Sequence, residues 1–218
     1  MKKSSLPLLA CPACHSALTL QADPADPVDC GSLHCPACLE DYPIIQGIPH
    51  FIRVAELNGL NRRFATLYDR FSWAYLPFLA MAFALIGISE ERARREILDR
   101  LEPGGGKVLE VSIGPGGNLP FLLARPDVGE VFGLDISLGQ LRRCQAYTRR
   151  KGWSVDLLLG NAEKLPFQDA AFDSLVHMGG INFFNDKKKA IQEMIRVVRP
   201  GARILIGDES ERGARGYE

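Results

Sequence analysis

Short apolar runs alternate with amphipathic stretches along the second half of the chain. The apolar runs have the length of buried strands, and they cover residues 107–111, 130–134, 154–159, 172–177 and 202–207. Between them, helical patterns cover residues 118–125, 137–151 and 187–198. Strands and helices that alternate in this way predict an α/β fold, with a Rossmann-like, doubly wound parallel sheet and helices on both of its faces.

The first hundred residues follow different patterns. Residues up to 52 are rich in proline and cysteine and lack helical periodicity, whereas two helices are predicted over 57–75 and 89–101. Ser89 is a suitable N-cap for the second of these helices. We therefore expect a small N-terminal module, a helical lid or connector and a core domain, over residues 1–52, 53–102 and 103–218.

An uncharged apolar run occupies Trp73–Ile88. Its sixteen residues are fewer than the about 20 that a membrane-spanning helix needs, and Pro77 would interrupt the helix. The run therefore predicts a buried or lid helix. A helix at a membrane interface, near an apolar substrate, stays open as an alternative.

The composition of the chain bears on whether it binds nucleic acid and on whether it is secreted. The chain has 218 residues with 26 basic and 26 acidic side chains, so it offers no overall electrostatic attraction for nucleic acid. The apolar stretch Leu6–Ala10 contains Pro7 and is shorter than the core of a secretion signal, which has about 7 to 15 residues. We therefore expect a cytoplasmic protein that uses its six cysteines for metal binding or chemistry before disulfides.

Four of the cysteines form two CxxC pairs. Cys11 and Cys14 make the first pair, and Cys35 and Cys38 make the second. Two such turns together supply the four thiolates of a tetrahedral structural zinc site. Disulfides would require an oxidising compartment. Another alternative stays open, in which the cysteines are remnants of a site that no longer binds a metal. Cys30 lacks the CxxC context and is not included in the predicted ligand set.

The rest of this module carries a family resemblance. After the CPxC start, it ends on the sequence YPIIQGIP at residues 42–49. Over residues 6–52 it resembles the zinc-ribbon-like segment of methyltransferase activator subunits. Such segments occur alone as activators or fused in front of methyltransferase domains, so the resemblance implies a link to methyl transfer.

A glycine-rich turn follows the first core strand. It places an acid, Glu110, inside the strand and then Ser112, Gly114 and Gly116, whereas a dinucleotide-binding turn would have a glycine where Leu119 stands. A P-loop ending is also absent. A buried acid is unfavourable beside a pyrophosphate, so the turn favours a positively charged ligand without phosphates.

This turn resembles motif I of the class I S-adenosylmethionine-dependent methyltransferases, with serine at the first glycine. The resemblance covers residues 107–208 and is closest to the UbiE-like small-molecule branch. It implies that Asp135, followed by Ile136, accepts hydrogen bonds from the ribose hydroxyls. It also implies that Asn161 and Ala162 meet the adenine of the cofactor.

The same resemblance suggests the surroundings of the reacting methyl group. His177 ends the fourth strand, as a weak candidate for a general base or as a residue that offers only its backbone carbonyl to the cofactor. Tyr68 would help to close the cofactor site. The apolar segment 71–88, with Phe183 and Phe184, would line the acceptor pocket.

We therefore expect a methyltransferase that transfers a methyl group from S-adenosylmethionine to a small, apolar or aromatic acceptor. One alternative is a non-catalytic cofactor-binding or activator subunit that docks a partner methyltransferase through its zinc module. A second alternative is an rRNA methyltransferase, against which the neutral charge argues.

The C-terminal end departs from the class I pattern. That fold has seven strands, but only five are predicted here, and eleven polar residues follow Gly207. We therefore expect a core that lacks the last two strands. Its open sheet edge could pair with a second copy of the chain to form a homodimer.

Overall fold

The core of the computed structural model is a five-stranded parallel sheet. The structure describes residues 1–22, 25–71 and 89–208, without the side chains of residues 54 and 71. The strands are β5 (Lys107–Val111), β6 (Glu130–Asp135), β7 (Val155–Leu159), β8 (Phe172–Met178) and β9 (Val198–Gly207). The order across the sheet is β7-β6-β5-β8-β9, and each neighbouring pair is parallel. This order confirms the predicted doubly wound sheet.

Three helices connect these strands: α3 (Leu119–Leu122), α4 (Leu138–Lys151) and α5 (Lys187–Val197). The chain builds outward from β5 to β7 on one side and then returns to place β8 on the other side of β5. In folds of this kind, ligands bind where the strand order reverses, at the carboxyl ends of the strands. The ends of β5, β6 and β8 are therefore the place to look for a site.

Two core elements differ in length from the prediction. Helix α3 has a single turn and ends well before residue 125, because the chain turns before Pro126 and leads into β6. Strand β9 begins at Val198 rather than at residue 202, because Val198 pairs with Phe172 ahead of a bulge in the ladder. Among the described residues, the outer edge of β9 has no partner strand.

The N-terminal module is a small antiparallel sheet. Its strands are β1 (Thr19–Ala22), β2 (Gly31–His34), β3 (Asp41–Ile45) and β4 (Ile48–Pro49), paired in that order. A 3-10 helix, Lys3–Leu8, precedes them.

The module packs directly against the core sheet at β7. The backbone N–H of Phe51 donates to the carbonyl of Leu159 (2.8 Å), and Asp156 accepts hydrogen bonds from the N–H of Lys2 (2.9 Å) and the hydroxyl of Ser5 (2.5 Å). Buried side chains from both parts form one hydrophobic cluster, which includes Leu9, Phe51, Leu109, Phe132 and Phe167. The module and the core sheet therefore share a core.

Two described helices lie in the predicted connector, residues 53–102: α1 (Gly59–Phe71) and α2 (Glu90–Leu98). Ser89 caps α2 as predicted, because its side chain accepts a hydrogen bond from the N–H of Arg92 (3.3 Å). The apolar run Trp73–Ile88 and the tail after residue 208 lie outside the described residues. Over the described ranges, no helix has the length and apolar character to cross a membrane.

Candidate functional site

Glu110 is a buried carboxylate near the end of the central strand. The residue is 1 % exposed, and its Oε1 accepts a hydrogen bond from Nδ2 of Asn118 (2.7 Å). Its Oε2 is buried and has no hydrogen-bond partner among the described residues. Burial raises the pKa of Glu110 to about 8, against the hydrogen bond from Asn118 and the charge of Arg94, which both act to lower it.

The glycine-rich turn after β5 uses left-handed backbone conformations. Ser112 has φ 61°, Gly114 has φ 56° and Gly116 has φ 88°. A Cβ on Gly116 would lie 2.9 Å from Sγ of Cys144 and 2.9 Å from a side-chain methyl of Leu119. Glycine at this position therefore allows the turn to pack closely against α4 and α3.

Asp135 closes the turn from the neighbouring strand. Its Oδ2 accepts the N–H of Gly114 (2.7 Å), and its Oδ1 accepts the N–H of Ser137 (2.9 Å). Burial raises the pKa of Asp135 to about 6, although both N–H groups act to lower it. Two buried carboxylates, Glu110 and Asp135, thus flank the same turn.

The third contribution comes from the end of β7. Asn161 follows this strand, and its Oδ1 accepts the N–H of Glu163 (2.9 Å), which orders the loop. Ala162 is buried, and Ile136 at the end of β6 is half-buried. The predicted residues Glu110, Gly114, Asp135 and Asn161 therefore lie on, or just after, three adjacent strands at one end of the sheet.

His177 is fully buried in β8. Its Nδ1–H donates to the carbonyl oxygen of Val111 (3.0 Å), and its Nε2 has no partner among the described residues. Burial lowers the pKa of His177, so the ring is neutral at physiological pH. The imidazole thus bridges β8 and β5 at the switch point of the sheet.

Aromatic rings from α1 and from the 3-10 helix Ile181–Phe183, which follows β8, lie together. The rings of Phe64 and Phe183 stack with centroids 3.8 Å apart, and Tyr68 lies 6.4 Å from Phe183. Asp69, next to Tyr68, accepts hydrogen bonds from the hydroxyl of Ser137 (2.6 Å) and the N–H of Gly139 (2.8 Å). Helix α1 is therefore fastened to the start of α4, beside Asp135.

A cavity of about 780 Å³ lies between the module and the core. The core contributes Leu138 and Asn161, and the module contributes Tyr42 and Phe51. The N-terminal module therefore forms one wall of the space beside the end of β7.

Sequence reasoning left out two residues of the site, Asn118 and Arg94. Asn118 directly follows the glycines, so its position offered a signal. Arg94 is one of three arginines in α2, and nothing in the sequence separates it from Arg92 and Arg95.

The four predicted cysteines form a cluster in the module. Their sulfur atoms all lie within 4.8 Å of one another, with Cys11–Cys38 and Cys14–Cys35 each 3.5 Å apart. Tetrahedral zinc with Zn–S bonds of about 2.3 Å has S···S edges of about 3.8 Å, so the cluster fits that ion.

The pKa shifts of the cysteines also favour a metal site. Hydrogen bonds with Ser16 lower the pKa of Cys14 to about 6. The backbone N–H of Glu40 acts to lower the pKa of Cys38, but the contact with Cys35, burial and the other two cysteines outweigh it and raise this pKa to about 12. Four thiols this close resist ionising together unless a cation neutralises them, and a divalent metal supplies that charge.

Comparison with known protein families agrees with both parts of the structure. Residues 109–206 match the family described as "Methyltransferase domain", and residues 2–47 match the family described as "Trm112p-like protein". The chain is therefore similar to the Trm112p-like family over its N-terminal module and to the methyltransferase family over its parallel sheet. The predicted resemblance to both families is confirmed.

Individual curated relatives match about half of the chain. The chain is 35% identical over 121 residues to demethylmenaquinone methyltransferase of Renibacterium salmoninarum, covering 55% of this chain and 48% of the relative. It is 38% identical over 103 residues to the ubiquinone/menaquinone biosynthesis C-methyltransferase UbiE of Burkholderia mallei, covering 47% and 42%. The chain thus spans about half the length of these curated relatives.

A solved structure matches the fold as well. The crystal structure of the PH0226 protein from Pyrococcus horikoshii OT3 superposes with a TM-score of 0.50 at 29% identity. The match covers 61% of this chain and 60% of that chain.

Proposed function

We propose that this protein is a methyltransferase that binds S-adenosylmethionine and methylates a small, apolar or aromatic acceptor. The observation that carries the proposal is the convergence of Glu110, the Gly114 turn and Asp135 at the carboxyl ends of adjacent strands. Asn161 lies at the end of the next strand, where the adenine would bind.

The chemistry of the donor set fits this cofactor. Glu110 has one buried carboxylate oxygen without a partner, which suits the ammonium of the methionine portion. The Asp135 carboxylate can accept further hydrogen bonds from two ribose hydroxyls. Ile136, Asn161 and Ala162 would surround the adenine. A phosphate group would be repelled by Asp135, and by Glu110 whenever it is ionised, which argues against NAD and ATP.

When bound, the cofactor supplies an electrophilic methyl group on a sulfonium. The residues of this chain contribute by orienting that methyl group towards the acceptor and by excluding water. In this proposal His177 offers its backbone carbonyl near the cofactor, because its ring is buried and held by Val111. Tyr68, Phe64 and Phe183 would cover the site from the side of α1.

An aromatic or apolar acceptor is supported by the stacked rings and by the names of the relatives. Aromatic rings stack well on flat apolar molecules, and Phe183, which rests on the buried ring of Phe64, is only half-buried. The names of the two relatives refer to demethylmenaquinone and to ubiquinone/menaquinone biosynthesis, and we extend an acceptor of this apolar, aromatic kind to this chain as part of the proposal.

The Trm112p-like match favours a second function, in which the module activates a partner methyltransferase. The contacts of the module argue for a role within its own chain instead. It hydrogen-bonds to β7 through Phe51 and to Asp156 through Lys2 and Ser5, and it shares its hydrophobic core with the methyltransferase domain. We therefore propose that the module, with a structural zinc ion, supports the domain to which it is fused.

The proposal predicts that Asp135→Ala lowers the affinity for S-adenosylmethionine by about 10-fold or more, because two hydrogen bonds to a charged acceptor would be lost. Isothermal titration calorimetry measures the affinity, and transfer of labelled methyl into fractionated lysate reports the acceptor class. Asp169→Ala is a matched control, since Asp169 is an exposed acid paired with Arg196. Equal affinity of the wild type and Asp135→Ala would contradict the assignment, and labelling of rRNA would favour a different acceptor class.

A further inference from the structure

Arg94 of helix α2 lies against the glycine-rich turn. Its side chain is only 14 % exposed and pairs with Glu90 on the same helix (2.7 Å). A Cβ on Gly117 would lie 3.3 Å from the guanidinium carbon, so the guanidinium packs on the turn itself. The other two arginines of α2, Arg92 and Arg95, are exposed and pair with Glu96 and Glu91.

Arg94 reaches the buried carboxylate through a single amide. Its Nη1 donates to Oδ1 of Asn118 (2.5 Å), and Nδ2 of Asn118 donates to Oε1 of Glu110 (2.7 Å). Asn118 is 2 % exposed. A guanidinium can only donate and a carboxylate can only accept, so the orientation of the Asn118 amide is determined at both ends.

We infer that Arg94 is a positioning residue for cofactor binding, which acts through Asn118 to orient Glu110 with its second oxygen free for the cofactor's ammonium. This inference rests on the proposed function. Arg94 lies on helix α2, outside the methyltransferase motifs, and would be an additional residue that supports the cofactor site.

The charges around Glu110 support this role. Arg94 is the cation whose charge acts on Glu110, while Asp135 on β6 opposes ionisation. Cys144 of α4 is buried and neutral, because burial raises its pKa, and the His177 ring on β8 is neutral as well. Glu110 therefore depends on Arg94 and Asn118 to offset the cost of its burial.

The affinity for S-adenosylmethionine should depend on pH, because the charge of Arg94 favours the ionised form of Glu110. A neutral, protonated Glu110 binds an ammonium weakly, so affinity rises as the pH rises through the pKa of Glu110, which is about 8 in the free protein. Removal of Arg94 raises that pKa further and moves the rise to higher pH. The amino group of the ligand titrates in the same region, at about 8, but identically for every variant, so ratios of affinities cancel it.

The test is calorimetric titration of the full chain with S-adenosylmethionine between pH 6.5 and 9 (about the range in which both groups titrate). We expect Arg94→Met to bind about 10-fold more weakly at neutral pH, the loss typical of a charge-assisted hydrogen-bond network, and to show its rise at higher pH. Arg94→Lys should recover part of the affinity. Arg95→Met removes a comparable charge from the same helix and should bind like the wild type.

A second variant keeps the inference testable if Arg94→Met unfolds. Asn118→Leu has similar volume and interrupts the link while leaving Arg94 in place. It should show the same loss and the same pH shift, and the double variant should be no worse than either single variant. A wild type that does not bind the cofactor would contradict the proposed function. A wild type that binds, with Arg94→Met matching Arg95→Met in affinity and pH profile, would overturn the inference about Arg94 alone.

Discussion

Gly116 is the residue of the turn where backbone conformation and packing both require glycine. Its φ is 88°, and an added Cβ would meet Cys144 and Leu119 at 2.9 Å. We predict that Gly116→Ala lowers the free energy of unfolding by about 3 kcal/mol, from left-handed strain and overpacking together. Urea denaturation measures this loss.

Gly152 provides the matched control for this substitution. It caps α4 with φ 68° and has open space around its Cα, so Gly152→Ala costs only the strain, about 1 kcal/mol. If both substitutions lowered the free energy of unfolding by the same amount, the close contact of Gly116 with α3 and α4 would not contribute to stability.

At the residue scale, the sequence predicted the groups that belong to a contiguous motif. Glu110, Gly114 and Asp135 could be placed because they stand inside, just after and at the end of an apolar run, respectively. Arg94 could not, because its role arises from the way α2 packs against the turn, and three arginines in α2 look alike in sequence. The role of Asn118 depends equally on a contact that forms only after folding.

At the element scale, the two serine N-caps differ in their surroundings. Ser89 caps α2 through one hydrogen bond in an exposed position, whereas Ser137 is fully buried, caps α4 through the N–H of Gln140 (3.2 Å) and also donates to Asp69. We predict a loss of about 1 kcal/mol for Ser89→Ala and about 2–3 kcal/mol for Ser137→Ala, because the latter leaves Asp69 short of a donor.

Thermal or urea unfolding of the two variants side by side measures this difference. Equal losses would show that the link between α1 and the start of α4 adds no stability. A larger loss for Ser137→Ala would instead show that helix α1 is coupled to the element that positions Asp135.

The long alternating elements of the core were predictable, and the short ones were not. Strands β5 to β8 lie within about a residue of the predicted ranges, because each is an apolar run buried on both faces. The early start of β9 depends on a pairing of Val198 with Phe172, distant in sequence. The four short strands of the module carry too few residues for a periodic pattern, and the metal-ligand spacing was the informative signal there.

At the scale of the whole molecule, the cysteine cluster and the methyltransferase domain share one hydrophobic core. Cys11 and Cys35 are buried in the same cluster as Phe51, Phe167 and Leu109. Tyr42 connects the two regions, since its hydroxyl lies 3.2 Å from Sγ of Cys11 and its ring packs 5.0 Å from that of Phe51. Loss of the proposed zinc ion should therefore lower the stability of the core sheet as well as that of the module.

We predict that zinc removal by a chelator, or the substitution Cys35→Ser, lowers the midpoint of a single unfolding transition for the whole chain. A loss of about 3 kcal/mol would correspond to roughly 10 °C in a protein of this size. Differential scanning calorimetry with and without S-adenosylmethionine measures the midpoint, and elemental analysis measures bound zinc. Cys30→Ser is the control, because Cys30 is exposed and outside the cluster. The opposite result would be two separate transitions, of which the one stabilised by the cofactor does not change when the chelator is added. It would show that the module and the methyltransferase domain unfold independently.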